Sequence, residues 1–413
     1  MPPLDIAIAG AGPAGLAAAL HLSRAGHRVS VFERFDAARP VGSGLILQPT
    51  GLAVLASLGL LDEMLALGAR IDRLHGVDAT SGRTVLDVRY DARPGGGRFG
   101  LAVHRAALFG VLYRAVVAAG VAVEAASEAV GLDIDDRARL VLADGRRPGP
   151  FDLVVDATGA RSVLKRHARV PAEPRPLAYG AFWATLGWRG DGFEENALQQ
   201  RYQRASVMIG VLPVGRREPG GEKEAAFFWS LKPAEVEAVH AAGLEAWKER
   251  VGAIWPATGP YLDQIADFDQ LALARYGHHT LVYPAGRRLA VIGDAAHSTS
   301  PQLGQGANMA LLDAAALAHA LDTAPDIEAA LDAYCRARRW HVRLFQALSL
   351  AFTPFYQSDS RTIPFLRDTL VATVAKVPPM PRVLAAMVAG TLVDPFAGTG
   401  LGEKETPPLP TTS

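Results

Sequence analysis

The chain is almost without cysteine. Cys335 is the only one in 413 residues, which excludes an intramolecular disulfide, a thiolate metal cluster and a dithiol redox pair. A reducing, cytoplasmic compartment is the expectation. Net charge is also missing: 42 basic side chains face 42 acidic ones, with a pI near 7.2, so bulk electrostatics favour neither nucleic acid nor an anionic membrane. No uncharged apolar run approaches the roughly 20 residues needed to span a bilayer. Val377 to Val393 comes nearest and is broken by Pro378, Pro379, Pro381 and Arg382, so a packed C-terminal helix is expected there rather than membrane association. The apolar N-terminus carries Asp5 and no basic stretch before it, and reads as folded and retained rather than as a signal peptide. The expected partner is a small molecule.

What is present begins near the N-terminus. An apolar run, Ile6-Ala7-Ile8-Ala9, leads into Gly10-Ala11-Gly12-Pro13-Ala14-Gly15, a helix from Ala14 to Arg24 and a strand from Arg28 to Phe32. Glycines so placed let the backbone approach a pyrophosphate, whose charge the N–H groups and the positive end of the helix stabilise. Glu33, at the end of the second strand, is placed to accept hydrogen bonds from an adenosine ribose, and the adjoining Arg34 is included among the cofactor contacts. Far downstream, Gly293-Asp294-Ala295-Ala296-His297-Ser298 runs through Pro301 to Gly304-Gln305-Gly306-Ala307-Asn308. Gly293 lets the chain turn at a strand end, and Asp294 can bond a ribityl hydroxyl. Residues 304–308 set backbone donors at a second helix N-terminus, suited to the anionic edge of a reduced flavin. Together the two halves point to a flavoprotein. There is no second dinucleotide fingerprint, because Gly398-Thr399-Gly400-Leu401-Gly402 precedes no helix.

At this length more than one subdomain is expected. Helices are predicted from about Thr50 to Leu58 and from Ala106 to Ala118, and strands at Val121 to Glu124 and Phe151 to Asp156. A hairpin turning at Asp144-Gly145 is assigned to the same nucleotide-binding sheet. From about Leu177 to Leu281 the pattern changes to alternating segments, Tyr179 to Trp188, Gln200 to Val214 and Glu224 to Leu231, which predict a second, mostly antiparallel sheet. Gly220-Gly221 reads as an exposed turn. A strand at Leu289 to Ile292 and an Ala-rich helix from Ala307 to Leu321 return to the cofactor domain, which is therefore discontinuous. Helix resumes from Ile327 through Ala351 and again after Pro364.

These motifs resemble the group A FAD-dependent aromatic monooxygenases, the class of para-hydroxybenzoate, salicylate and ubiquinone-precursor hydroxylases. The resemblance rests on Gly10-x-Gly12-x-x-Gly15 with Glu33, on His104-Arg105 before a helix, and on Gly293-Asp294-Ala295-Ala296-His297 with Pro301, Gly304, Gly306 and Asn308. It implies an α/β fold: a glutathione-reductase-type Rossmann FAD domain (1–70, 100–176 and 282–325) with an inserted, mostly antiparallel substrate domain (71–99 and 177–281). A C-terminal helical segment (326–397) and a flexible tail (398–413) follow. It also implies FAD as cofactor, NADPH or NADH as transient electron donor, dioxygen as co-substrate, and oxygen transfer through a flavin C4a-hydroperoxide to an aromatic or lipid-like small molecule by a monomer or homodimer. Arg105 would contact the FAD diphosphate or ribityl region. Gly42-Ser43-Gly44 through Gln48 would lie along the flavin, with Gly44 and Gln48 as contacts. Pro301 and His297 would sit beside the ring, His297 as a structural residue and not a base. Phe355 to Asp359, Arg361, Leu366-Arg367-Asp368 and Gly390 resemble the C-terminal segment of the ubiquinone-pathway hydroxylases. No tryptophan-halogenase string is present, and the chain is too short for the thioredoxin-like domain of the larger hydroxylases.

One departure stands out. In Asp156-Ala157-Thr158-Gly159-Ala160-Arg161-Ser162, Gly159 and Ser162 keep the family spacing, but Thr158 replaces the usual aspartate and, further on, Lys165 replaces the usual arginine. Asp156 or Arg166 is available to compensate. Substrate contacts are expected from alternate residues of the middle sheet, namely Trp183, Tyr202, Met208 and Phe228. Two other readings remain open: a flavin-dependent reductase of the geranylgeranyl-reductase type, and a flavin-binding sensor without catalysis.

Overall fold

The computed structural model describes residues 1–37, 43–92, 98–360, 362–363, 367, 374–375 and 377–402. Strand β1 (Asp5–Ala9), helix α1 (Pro13–Arg24) and β2 (Arg28–Phe32) open the chain, followed by β3 (Gly44–Leu47), α2 (Pro49–Ser57), α3 (Leu61–Leu67) and β4 (Ala69–Ile71). The hairpin β5 (Arg73–Asp78) and β6 (Thr84–Arg89) precedes β7 (Gly100–His104), α4 (Arg105–Ala118), β8 (Ala122–Glu124), β9 (Ala129–Ile134), β10 (Ala138–Leu142) and β11 (Leu153–Asp156). Long strands β12 (Arg175–Gly187), β13 (Ala197–Gln203), β14 (Val207–Gly215) and β15 (Glu224–Leu231) lead to α5 (Val236–Ala242), α6 (Leu244–Ile254), α7 (Gly259–Leu262) and β16 (Ala272–His278). The chain closes with β17 (Ala285–Gly286), β18 (Leu289–Val291), α8 (Asp294–His297), α9 (Gly306–Thr323), α10 (Ile327–Tyr356) and α11 (Met380–Ala389).

A six-stranded sheet of order β17-β18-β11-β1-β2-β8 carries the nucleotide motif. It is parallel apart from the β17–β18 pair. Alternation along β1 splits the residues between two cores. Ile6 and Ile8 face α1, α4 and α9 through Leu16, Leu20, Leu108 and Leu317, whereas Ala7 and Ala9 face the β9–β10 ribbon and Leu164. Leu16 is fully buried, so Leu16→Ala falls in the class costing about 2–5 kcal/mol.

The second sheet has seven strands in the order β16-β12-β15-β14-β13-β5-β6. Only β13 and β5 run parallel in it. One face, with Phe182, Phe227 and Trp229, packs under α6 and α7 through Trp247, Val251 and Tyr261. The other, with Trp183, Tyr202, Met208 and Phe228, lies toward the small sheet β3-β7-β4, to which Ile46 and Ala102 contribute.

Several expectations change. Gln200 to Val214, read as one segment, is two strands joined at Arg204, which takes a φ of 58°; no glycine or proline marks that turn. The β9–β10 pair forms its own two-stranded sheet and does not extend the nucleotide-binding one. Its turn lies at 135–137, and Asp144-Gly145 is a following turn. Helix α10 runs five residues past Ala351, through Pro354. The start of the expected tail is packed: Thr399 is buried, a Cβ on Gly398 would lie 2.7 Å from Ala337, and Leu401 joins the main core. Residues 403–413 lie outside the described residues, as do Gly42, Arg361, Leu366, Asp368 and most of the helix expected after Pro364. Among the described residues no helix is long and apolar enough to cross a membrane.

Candidate active site

The three glycines after β1 have three different physical roles. Gly10 has a φ of +101°, and a Cβ there would stand 2.5 Å from the Ala157 carbonyl oxygen at the end of β11. Gly15 packs so closely that a Cβ would meet the Gly10 oxygen at 1.9 Å, whereas one on Gly12 would meet nothing within 4 Å. Gly12 thus borders open space at the start of α1, which begins with Pro13 and has no side-chain cap, leaving its first-turn N–H groups for an anion. Ala14 stands in that first turn.

Glu33 is buried, and its carboxylate fastens the loop. Oε2 accepts from the Ala11 N–H at 2.8 Å and Oε1 from the Phe35 N–H at 3.1 Å. Each oxygen retains a lone pair for a ribose hydroxyl. Arg34 places its guanidinium over the Phe35 ring at 4.6 Å.

The distant second motif arrives at the same place. A Cβ on Gly293, whose φ is +61°, would lie 3.1 Å from Ala14 Cβ and 3.2 Å from Ala310 Cβ, so Gly293 is the contact point between α1 and α9. Asp294 is exposed, and its Oδ1 lies 3.7 Å from where a Gly306 Cβ would stand. Pro301 is exposed as well, at the start of a short 3₁₀ turn that ends in left-handed Gly304. Gln305 precedes α9, which has no side-chain cap, and Ala307 lies in its first turn. Gln305 turns inward instead, Nε2 donating to the Val388 carbonyl at 2.6 Å.

Asn308 and Gln48 form a clamp between the halves. Asn308 is fully buried, accepts from the Gln48 N–H at 2.8 Å and donates to the Ile46 and Gly304 carbonyls at 3.2 and 2.9 Å. Gln48 Oε1 accepts from Tyr90 at 2.7 Å. Gly44 lies against the second sheet, where a Cβ would meet Val214 at 2.5 Å and Ala226 at 2.8 Å. It sets how closely the sheets approach.

Beneath the second motif lies a buried ion cluster that sequence reasoning missed. Asp313 in α9 accepts from the Gly293 N–H at 2.9 Å, His297 Nε2 at 2.6 Å and Arg338 Nε at 2.8 Å. Arg338 also donates to His341 Nδ1 at 3.3 Å, and His341 Nε2 donates to the Gly390 carbonyl at 2.9 Å. Burial alone would raise the Asp313 carboxyl, but His297 and Arg338 outweigh it and hold it at about 2. The same exchange works in reverse on His297: burial opposes its charge, Asp313 prevails, and its pKa is raised. His341, with burial and Arg338 both against protonation, is pushed down to about 3. The available signal was a lone acid inside the apolar run Met309-Ala310-Leu311-Leu312-Asp313-Ala314-Ala315, which demands a buried partner.

In the altered middle motif, Asp156 is fully buried at the end of β11 and its carboxyl is raised, chiefly by burial. It accepts from Thr158 Oγ1 at 2.6 Å, the Thr158 N–H at 3.0 Å and Ser162 Oγ. Thr158 thereby ties down the turn at Gly159, whose φ is +83° and whose missing side chain faces open space. Lys165 is buried, donates to the Ala160 carbonyl at 3.3 Å, and is lowered in pKa chiefly by burial.

His104 ends β7 and caps α4, Nδ1 accepting from the Ala106 N–H at 3.0 Å, which leaves its proton on Nε2 for Thr185 Oγ1 at 3.2 Å. Burial, aided by Arg217 and Arg105, lowers it to about 4. Arg105 is exposed and makes no ion pair with a described residue. Its charge reaches Tyr276, which accepts from Trp183 Nε1 at 2.8 Å. Tyr276 was not singled out from sequence.

The four residues expected to contact substrate come together in one cluster, with unequal burial. Tyr202, Met208 and Phe228 are 1%, 5% and 5% exposed. Tyr202 would collide with a Cβ on Gly76 at 2.4 Å, and Phe228 with one on Gly210 at 2.0 Å. They are packed core. Trp183, half-buried and 4.7 Å from the Phe228 ring, touches both the Tyr202–Met208–Phe228 cluster and the cluster around Ile46, so it stands at the junction of the sheets.

A family model described as FAD binding domain matches residues 3–347. The chain belongs to this family of FAD-dependent aromatic hydroxylases and monooxygenases, and FAD is its cofactor. A FAD-dependent urate hydroxylase from Mycolicibacterium vanbaalenii is 27% identical over 350 residues, covering 81% of this chain and 84% of its own. The 2-heptyl-3-hydroxy-4(1H)-quinolone synthase of Pseudomonas aeruginosa is 28% identical over 381 residues, covering 90% and 94%. Among solved structures, the tetrameric form of 2-methyl-3-hydroxypyridine-5-carboxylic acid oxygenase shares the fold with a TM-score of 0.78 at 23% identity, over 96% of this chain and 98% of that one. The residues present fit the cofactor, with open backbone at Gly12 and Gly159 and an exposed carboxylate at Asp294 beside the uncapped start of α9.

Proposed function

We propose that this chain is an NAD(P)H-driven FAD monooxygenase that inserts one oxygen atom from dioxygen into a planar aromatic or heteroaromatic small molecule. The carrying observation is the meeting of two uncapped helix starts, α1 and α9, at Gly293. Relatives named for urate and for a heptyl-bearing quinolone support a flat ring as substrate. When bound, FAD supplies the redox chemistry and the activation of dioxygen.

The protein's own residues bind, orient and exclude water. In the loop that would hold the diphosphate, Gly12, Pro13 and Ala14 form the open start of α1, and Gly10 and Gly15 pack the turn against the end of β11, while Glu33 and Arg34 would flank the adenosine ribose. Asp294 would take the ribityl chain, and the free N–H groups of Gly306, Ala307 and Asn308 at the uncapped start of α9 would serve the ring edge, with Gly304 and Gln305 shaping the turn before them, the Gly304 N–H donating to the Pro301 carbonyl at 3.0 Å. Gln48 and Asn308 fix the distance between the two loops. Arg105 supplies positive charge near the ribityl region, and Gly159 leaves a surface for the transient nicotinamide. Pro301 presents apolar surface with no N–H, and Trp183 an indole whose N–H is already taken by Tyr276, which keeps water from the reacting atoms. Segments 1–70, 100–176 and 282–325 act as the FAD domain, and 71–99 with 177–281 as the substrate domain.

The test is to screen aromatic compounds for faster NAD(P)H oxidation while measuring oxygen uptake and released peroxide. A substrate gives faster oxidation without peroxide and a product heavier by one oxygen. Double-bond reduction without oxygen uptake would instead establish a reductase. A flavin that neither nicotinamide reduces under any condition would establish a sensor.

A further inference from the structure

Helix α10 has one buried face, with Tyr334, Arg338, His341 and Phe345. Its opposite face carries Arg336, Arg339, Trp340 and Arg343, all exposed, followed by exposed Ala347, Leu350 and Ala351. Spacings of three and four keep these on one stripe, and the Arg343 guanidinium lies 5.9 Å from the Trp340 ring centroid. Trp340, at 69%, is the most exposed large apolar side chain among the described residues, and Leu350 is 57% exposed.

The charge on this face is one-sided in a chain whose total is zero. From Ala333 to Tyr356 the helix contains no aspartate or glutamate. Among the described residues none of Arg336, Arg339 and Arg343 has an ion-pair partner. The nearest acid on the helix, Asp332, is engaged by Arg169 and Tyr283.

We propose that this stripe docks the enzyme on an anionic lipid surface. Guanidinium groups reach lipid headgroup phosphates, Trp340 takes the interfacial position that indoles favour, and Ala347, Leu350 and Ala351 face the acyl boundary. A second copy of the chain fits poorly, because a two-fold contact sets the arginines either against each other or against the apolar half, with no acid on the stripe to pair them. Nucleic acid has no use for the donor-free apolar half. The helix ends at Tyr356, whose ring lies 5.4 Å from Tyr202 of the second sheet, and Leu350 is about 9 Å back along its axis. The docked end is therefore the end next to the second sheet. The inference stands on this surface alone, independent of the oxygenation reading.

Holoenzyme is tested by co-sedimentation with vesicles of phosphatidylcholine alone or mixed with phosphatidylglycerol, at about 0.05 M and about 1 M salt. Binding is expected only to the anionic vesicles at low salt. Each basic group near such a surface contributes roughly fivefold, so Arg336→Gln, Arg339→Gln and Arg343→Gln together lower binding about 100-fold. Trp340→Ala weakens it less and independently of salt. Unchanged flavin absorbance and melting temperature in these exposed-site variants show that the fold is intact. Absent binding of the parent protein, equal binding to neutral vesicles, or undiminished binding of the triple variant overturns the proposal. A lower molar mass of the triple variant in light scattering, with no lipid binding by the parent, assigns the stripe to an interface between copies instead.

Discussion

At the residue scale, glycines that look equivalent in the motif separate by what surrounds them. Because a Gly12 Cβ meets nothing while a Gly15 Cβ meets the Gly10 oxygen at 1.9 Å, Gly12→Val should leave apoprotein melting unchanged and weaken FAD binding at least tenfold. Gly15→Val should lower both. FAD fluorescence titration alongside apoprotein melting decides, and a matched loss of stability in both variants would show that Gly12 is packed and not cofactor-facing. The His297–Asp313 pair has a definite pH sense. A raised His297 value means its stabilisation is full below the ordinary 6.5 and is lost as pH rises through the folded value. Asp313, held at about 2, loses its contribution only as pH falls toward that value. Melting of the parent should therefore decline more than that of His297→Gln as pH rises above 6.5; parallel curves would remove the charge from His297. Tyr276→Phe strips the half-buried Trp183 of its acceptor at 2.8 Å, a loss of about 1 kcal/mol for a partly buried hydrogen bond. A KM for the aromatic substrate raised about tenfold with an unchanged flavin spectrum is the expected outcome, and an unchanged KM would place Tyr276 outside the pocket.

At the scale of elements, the parts legible in sequence are those whose chemistry is local. A strand, three glycines and a helix within Asp5 to Arg24 announce themselves because the phosphate-binding geometry depends on neighbours in the chain, and the Gly293-Asp294 turn is legible for the same reason. Contacts between distant elements leave at most one partner visible, as Asp313 is within its apolar run. The Asn308 clamp on Gln48, the Arg338 partner of Asp313 and the approach of Gly44 to Val214 exist only after three separate sheets have been stacked. The break between β13 and β14 was illegible because Arg204 adopts positive φ without glycine. Helix α11 shows what these contacts do. Its C-cap Gly390 has a φ of +78°, accepts from His341, and leaves a Cβ only 3.0 Å from Gln305 Oε1 and 3.1 Å from Thr50 Oγ1. Gly390→Ala adds left-handed strain of roughly 1–2 kcal/mol and pushes on Gln305 just ahead of α9. The variant should melt several degrees lower and release FAD faster. Loss of stability without faster release would confine α11 to a packing role.

At the scale of the whole molecule, the lone cysteine that excluded disulfide chemistry becomes a reporter of global opening. Cys335 sits on α10 in the main core beside Leu331 and Tyr334, 4% exposed, and burial pushes its thiol up to about 12. At pH 8 only about one thiol in ten thousand would then be the reactive thiolate, so modification must pass through an opened state in which the pKa returns to about 8.5. Because α10 packs on α9, and α9 on α1, global opening that exposes Cys335 also separates the two halves of the cofactor site. Bound FAD must therefore slow labelling by mass action: at a hundred times its Kd it adds about 2.7 kcal/mol, or roughly 100-fold. The measurement is the rate of reaction with an aromatic disulfide reagent, for apoprotein and holoprotein across a urea series. Labelling in seconds without urea, at one rate with and without FAD, would mean that α10 opens on its own, and that it rides on the flavin fold instead of closing it.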